Sequence, residues 1–234
     1  MTLPTRTPTD HLHRIGRDDD AWAWPDWLFA GDDGTFGNRW DDPTKKYRVL
    51  YACSQRLGAF VETLARFRPD PHVVAGLEAI VDDEPDGGVL QPGQVHATWV
   101  WGRRIGTASV EGQYADVGTA QWLGHLNPAM AARLIHYGLS ELDGSILRRA
   151  APRGLTQEIS RYVLEQVDSE GTQAFDGICY LSRLGDDFTN WAIFEPDDLT
   201  TWKLIADATC DHFDTDDVDL ENALEILDLE LVGA

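Results

Sequence analysis

The sequence predicts an α+β fold in a single domain: a mixed sheet flanked by helices. Three observations predict it. Strand-like and helix-like segments follow one another without the regular rhythm of a doubly wound sheet. The chain has 234 residues, enough to bury one core without disulfide or metal staples. Hydrophobic residues make up 43% and aromatics 10%, a globular composition with no internal repeat or low-complexity segment.

The elements follow in chain order. Residues 1–11 read as a polar tail, with none of the apolar core of a signal peptide. Leu12 to Gly16 reads as a short strand. Asp18 to Asp42, rich in Gly, Asp, Pro and Trp, reads as a long loop packed down by its large aromatics. Tyr47 to Cys53 is β-rich. Ser54 is placed as an N-cap for a helix whose buried stripe is Leu57, Phe60, Val61, Leu64 and Phe67, and which Pro69 and Pro71 end. Asp82 to Gly93 is a turn-rich break. Val95 to Trp101 and Arg104 to Val110 read as a strand pair. Thr119 to Leu139 reads as helical, interrupted at Asn127-Pro128. Thr156 to Gln166 reads as a helix with Glu158 in its first turn. Phe175 to Ser182 and Asn190 to Phe194 read as strands joined by Gly185-Asp186-Asp187. Asp219 to Val232 closes as a helix with the stripe Leu220, Leu224, Leu227 and Leu231, expected to pack at the periphery or to form a homo-oligomer contact. The domain proper is thus expected over 12–196, with an acidic extension over 197–234.

Charge narrows the partners. The net charge is −21, from 19 basic and 40 acidic residues. A field of that sign repels nucleic acid and anionic membranes. From Asp197 onward twelve acidic residues face Lys203 alone, a local net of −11. The basic charge is nearly all arginine, which suits planar phosphate contacts. Cys53, Cys179 and Cys210 are odd in number and widely spaced, which fits a reducing cytoplasm and neither a disulfide framework nor a zinc site. No run is long enough to cross a membrane. The seven histidines are scattered, so no metal is expected. Walker, Rossmann, nucleophile-elbow and zincin motifs are absent.

Four segments stand out together. They are Leu12-His13-Arg14-Ile15-Gly16-Arg17; Gly34 to Pro43, which holds Arg39; Tyr47 to Pro69, which holds Tyr51 and Glu62; and Phe175 to Arg183 with Trp191 to Glu195, which hold Ser182. In this order they resemble the RES-domain family, named for an Arg, a Glu and a Ser that match Arg14, Glu62 and Ser182. The resemblance implies an ADP-ribosyltransferase-like fold. It also implies an enzyme that takes NAD as substrate and cleaves the nicotinamide–ribose bond, with water or phosphate as acceptor, and a toxin of a toxin–antitoxin pair with an Xre-type partner. A protein-directed ADP-ribosyltransferase and a non-catalytic acidic interaction protein are the alternatives. By motif position, Arg39 and Tyr51 join Arg14 and Ser182 at the NAD site. The chain departs from the family in its long Trp-rich loop and in the length between Glu62 and Ser182.

The residue types suit that chemistry. Arg14 and Arg39 can grip a pyrophosphate through bidentate bonds. Tyr51 can stack on nicotinamide. Glu62 can stabilise positive charge that builds on the ribose, and Ser182 can orient the ribose or the attacking group. Geometry alone gives a plainer reading of Glu62. It lies about 140° around the helix from Leu57, off the apolar stripe, like a solvated carboxylate. Arg183 alone reads as a partner for one of the many carboxylates.

Overall fold

The computed structural model describes residues 3–17, 20–69, 90–196 and 204–233. It confirms the α+β class. Its frame is an eight-stranded mixed sheet in the order β1-β6-β7-β8-β3-β2-β5-β9. The strands are β1 (Thr5–Arg6), β2 (Leu12–Gly16), β3 (Val49–Cys53), β5 (Arg104–Val110), β6 (Tyr114–Asp116), β7 (Gly177–Leu181), β8 (Thr189–Phe194) and β9 (Ile205–Asp211). The β6–β7 pair is parallel and the others are antiparallel. A separate parallel pair joins β4 (Gln94–His96) to β10 (Glu230–Val232).

Side-chain alternation along the strands separates the two sheet faces. Val49 and Cys53 point to one face; Leu50 and Ala52 point to the other. Two helical layers cover the first face. Around Val49, Ile178 and Phe194 lie α3 (Ala120–Ala129), α4 (Ala131–His136), α5 (Gly144–Arg149) and α6 (Arg153–Leu164). Around Cys53 and Phe188 lie α1 (Arg56–Leu64), the single turn α2 (Thr98–Trp101) and α7 (Val218–Leu227). Trp22, from the long β2–β3 loop, packs on the opposite face with Leu50 and Trp191. α1 sits close against β3 because Gly58 carries no side chain. A Cβ there would stand 2.3 Å from Cys53 Sγ.

Several elements differ from expectation for identifiable reasons. Ser54 does not cap α1; Gln55 holds the cap position, and Ser54 Oγ accepts from Trp191 Nε1 at 2.8 Å. The expected strand pair over 95–101 and 104–110 does not form. Only Gln94–His96 is extended, and it pairs with β10, while Thr98–Trp101 winds into a helical turn. That turn lets the consecutive Trp99 and Val100 both reach the core, and β5 pairs instead with β2 and β9. The break in the 119–139 region falls at Met130, two residues after Pro128, which is kept inside α3. α6 begins at Arg153, behind Pro152, and Thr156 Oγ1 donates to the Arg153 carbonyl at 2.8 Å. The final helix ends at Leu227, where Asp228 turns left-handed, so Leu231 lies on β10. Of the turn-rich break, residues 82–89 lie outside the described residues.

The division at 196/197 has no structural counterpart. β9 completes the sheet beside β5, and Leu220, Leu224 and Leu227 of α7 pack on Phe60 and Leu64 of α1. The N-terminal tail likewise contributes β1 to the sheet edge. Arg56, at the start of α1, donates to Asp217 at 2.6 Å and to Asp219 at 2.6 Å, and so fixes the start of α7.

Two predictions follow from the α1–α7 contact. Leu220 is fully buried, so Leu220→Ala lowers the unfolding free energy in urea by about 2–5 kcal/mol. The hydrogen bonds from Arg56 hold the Asp217 carboxyl below its ordinary range. Such a group adds stability that is fully present above the unfolded value of about 3.9 and is lost as pH falls through the lower folded value. Asp217→Asn therefore destabilises at neutral pH and has less stability left to lose on acidification. Denaturation midpoints at pH 7 and pH 3 give the comparison; equal losses in both proteins contradict it.

Candidate active site

A cleft of about 430 Å³ opens between the two helical layers. One wall is α1, with Ala59, Glu62 and Thr63. The other is the α5–α6 corner, with Arg149, Ala150 and Arg153. β2, β3, β7 and β8 supply the floor through Arg14, Tyr51, Tyr180 and Asn190. Asn38 and Arg39 enter from the long loop.

Arg14 is held on β2 by its pairing with β5. Its Nε and Nη1 are sealed from solvent and have no hydrogen-bond partner among the described residues. Burial, opposed by the charge of Asp20, pulls its pKa down to about 10, so it stays charged at neutral pH. An unpartnered buried cation is costly, and it is stabilised by an anion entering the cleft. Arg39 is held better. Its Nη2 donates to the Arg148 carbonyl at 2.8 Å, and its guanidinium lies 4.8 Å from the centre of the Tyr180 ring. Its Nη1 is also buried without a partner.

Glu62 projects from the half-buried flank of α1, and its Oε1 accepts from Asn190 Nδ2 at 2.6 Å. Asn190 is itself buried and faces Cys53 across the β3–β8 ladder. That register aims the amide at the carboxylate, and among the described residues the other carboxylate oxygen accepts no hydrogen bond. Tyr51 is anchored from behind. Its hydroxyl donates to Asp41 at 3.0 Å and accepts from the Trp40 amide at 2.9 Å. Burial raises the hydroxyl pKa of both Tyr51 and Tyr180, so both rings are neutral aromatic surfaces. Burial also pushes the Cys53 thiol up to about 12, which leaves no thiolate nucleophile in the cleft. The pKa of His13 is lowered, mainly by burial and then by Arg56, and its Nδ1 lies 3.0 Å from Thr107 Oγ1. No group of three or more His, Cys, Asp or Glu among the described residues could hold a metal ion.

The charges are sorted. Arg6, Arg48, Arg56, Arg133, Arg148 and Arg161 pair with carboxylates, and none of them lines this cleft. The six arginines among the described lining residues are Arg14, Arg39, Arg66, Arg149, Arg153 and Arg183, and none of them forms an ion pair within 4 Å among the described residues. Glu62 is the one carboxylate among those lining residues, which together carry +5 (six minus one) in a chain of net −21.

The cleft thus brings together Arg14, Arg39, Tyr51 and Glu62. It does not bring Ser182 to its lining. Ser182 is buried at the end of β7, where its amide donates to the Phe188 carbonyl and its Oγ accepts from the Leu184 amide, each at 2.9 Å. Arg183 pairs with no carboxylate among the described residues; it stands exposed on the cleft. The sequence reading missed Asn190, Tyr180, Arg149 and Arg153 as site residues. For the last two a signal existed: the basic run Arg148 to Arg153 inside a strongly acidic chain.

The buried Arg14 yields a test of its own. A Met at that position keeps the length of the side chain and removes the unpaired charge. Arg14→Met is expected to raise the unfolding free energy of the ligand-free protein by about 1 kcal/mol or more. A drop in stability on urea denaturation contradicts the absence of a partner.

No curated protein and no solved structure matches the chain. The RES domain matches over residues 11–209 and so takes in β2, β3, α1, β7, β8 and most of β9. RES domains are associated with NAD-acting enzymes and with toxin function. With most of its length matched, and with its Arg, Tyr and Glu gathered in one cleft, this chain belongs to the RES domain family.

Proposed function

We propose that the protein cleaves the nicotinamide–ribose bond of NAD, by phosphorolysis or hydrolysis. The sorting of charge carries this reading. An acidic chain gathers six arginines, none in an ion pair among the described residues, and one oriented carboxylate in one cleft. That inverted field attracts an anionic substrate. Arg14 and Arg39 would bind the pyrophosphate, since both keep buried donors with no protein partner. Tyr51 and Tyr180 would offer aromatic surface to the nicotinamide.

The reaction breaks the bond between the anomeric carbon and the nicotinamide nitrogen. The electron pair leaves with nicotinamide and neutralises its ring, so no acid is needed for departure. Positive charge builds on the ribose. Glu62, fixed by Asn190, would stabilise that charge and hold a ribose hydroxyl. An oxygen of water or phosphate then bonds to the anomeric carbon. Ser182 would act one step back, closing the turn that presents Tyr180 and Arg183. Family association extends the reading to the toxin of a toxin–antitoxin pair with an Xre-type partner.

Incubating the protein with NAD, with and without phosphate, tests the reaction. Free nicotinamide is expected, together with ADP-ribose or its 1-phosphate. ADP-ribose attached to a protein would assign a transferase instead, and intact NAD would exclude cleavage. Glu62→Gln is expected to keep the fold and lose about 10²–10³ in turnover. Arg39→Lys, which lacks the planar fork, is expected to weaken NAD binding by about 1–3 kcal/mol in calorimetry. Unchanged affinity would remove Arg39 from the site.

A further inference from the structure

The cleft holds more positive charge than a pyrophosphate uses. Arg14 and Arg39, which keep buried donor nitrogens, already match the two charges of a pyrophosphate. Four lining arginines remain: Arg66, which stands over the ring of Phe67, and Arg149, Arg153 and Arg183, all three exposed and in no ion pair among the described residues, although the chain has 40 acidic residues to offer.

These three stand on a frame that is held in place. Between Arg149 and Arg153, Ala150 is buried in the left-handed region at φ 49° and ψ 46°, a conformation non-glycine residues seldom adopt. Arg153 donates to the Gly37 carbonyl, which ties α6 to the long loop. Arg148, next to Arg149, is fixed at both ends. Its carbonyl accepts from Arg39 at 2.8 Å, and its guanidinium donates to Asp186 at 2.6 Å. Asp186 lies in the β7–β8 turn that also carries Arg183. The α5–α6 corner, the long loop and the β7–β8 turn are therefore cross-linked around the cleft.

We propose that Arg149, Arg153 and Arg183 form a second anion subsite, for a phosphate monoester carried by the dinucleotide itself. The preferred substrate is then a pyridine dinucleotide with a third phosphate on its adenosine ribose. This rests on the reading that the cleft takes such dinucleotides. A monoester brings ≈ −1.5 to −2 charge and three strong acceptor oxygens, a closer match to three guanidinium groups than the single charge of a phosphodiester. Exposure decides between the monoester and free phosphate. An attacking phosphate must reach the anomeric carbon beside Glu62, which leans on buried Asn190, whereas these three arginines are open to solvent.

Calorimetry on the Glu62→Gln protein, which keeps the dinucleotide intact, provides the test. NADP, NAD and inorganic phosphate are each titrated into it, and into the same protein carrying Arg149→Gln and Arg183→Gln. Circular dichroism confirms that both are folded. Arg153 is left in place because it also holds Gly37. The expected result is NADP binding on the order of tenfold or more tighter than NAD, with that ratio falling toward one in the arginine variant. Equal affinities in the parent, or a ratio that survives the two substitutions, overturn the subsite. Inorganic phosphate that binds the parent and not the variant, with no NADP preference, assigns the arginines to a free phosphate and also overturns it. NAD that binds the Glu62→Gln protein without any NADP preference, and is cleaved by the protein that keeps Glu62, sinks the subsite alone. Failure of both dinucleotides to bind sinks the underlying reading with it.

Discussion

The site depends on how one loop is fastened to the sheet. The Asp41 carboxylate is almost wholly buried, and it accepts from the Tyr51 hydroxyl and, at 2.7 Å, from the Asn38 amide. Trp40, fully buried beside it, donates its amide to Tyr51, and its carbonyl accepts from Ser160 of α6 at 2.6 Å. Burying a carboxylate is costly unless its oxygens are satisfied, and here the satisfied arrangement is also the one that brings loop, strand and helix together. Without this knot Arg39 would have no fixed relation to Arg14, and the ring of Tyr51 would lose its support. The long Trp-rich segment is therefore a wall of the site, fixed on one side by apolar packing and on the other by a buried polar network.

Around that wall the protein uses arginine in two ways. Outside the cleft, arginines meet carboxylates and brace the scaffold: Arg48 holds Glu195 beside β3, and Arg56 holds the start of α7. Inside the cleft they are kept apart from carboxylates. Unpaired charge there lowers the stability of the empty protein and raises its attraction for anions, a trade expected at functional sites. The net charge of −21 adds to the contrast, since the field of the whole chain disfavours anions while the cleft attracts them.

How much of this was legible in the sequence depended on whether the signal was local. The strands β3, β7 and β8 read correctly because their β-branched and aromatic residues recur at alternate positions: Val49 and Tyr51, Ile178 and Tyr180, Trp191 and Ile193. Glu62, off the apolar stripe of its own helix, reads from geometry alone as a solvated carboxylate. The family resemblance singled it out together with Arg14, Arg39 and Tyr51. Asn190 was not legible as the partner of Glu62, because that contact exists only through the β3–β8 register, which joins residues far apart in sequence. Ser182 misled for a similar reason: spacing cannot tell a hydroxyl facing a cleft from one turned back on the Leu184 amide. Thr98 to Trp101 carried strand-forming residues, but tertiary packing of Trp99 and Val100 outweighed their propensity.

The cover on α1 has a consequence for the order of events during synthesis. The stripe Phe60, Val61 and Leu64 is buried partly by Leu220, Leu224 and Leu227, and β4 finds its partner strand only in Glu230–Val232. These segments leave the ribosome long after the helix that carries Glu62. While they are missing, α1 presents bare apolar surface and has weaker hold on its place beside β3. Chains grow at about 5–20 residues per second, and domains fold as units. The Glu62 carboxylate therefore reaches its place beside Asn190 only after the segment that forms α7 has left the ribosome.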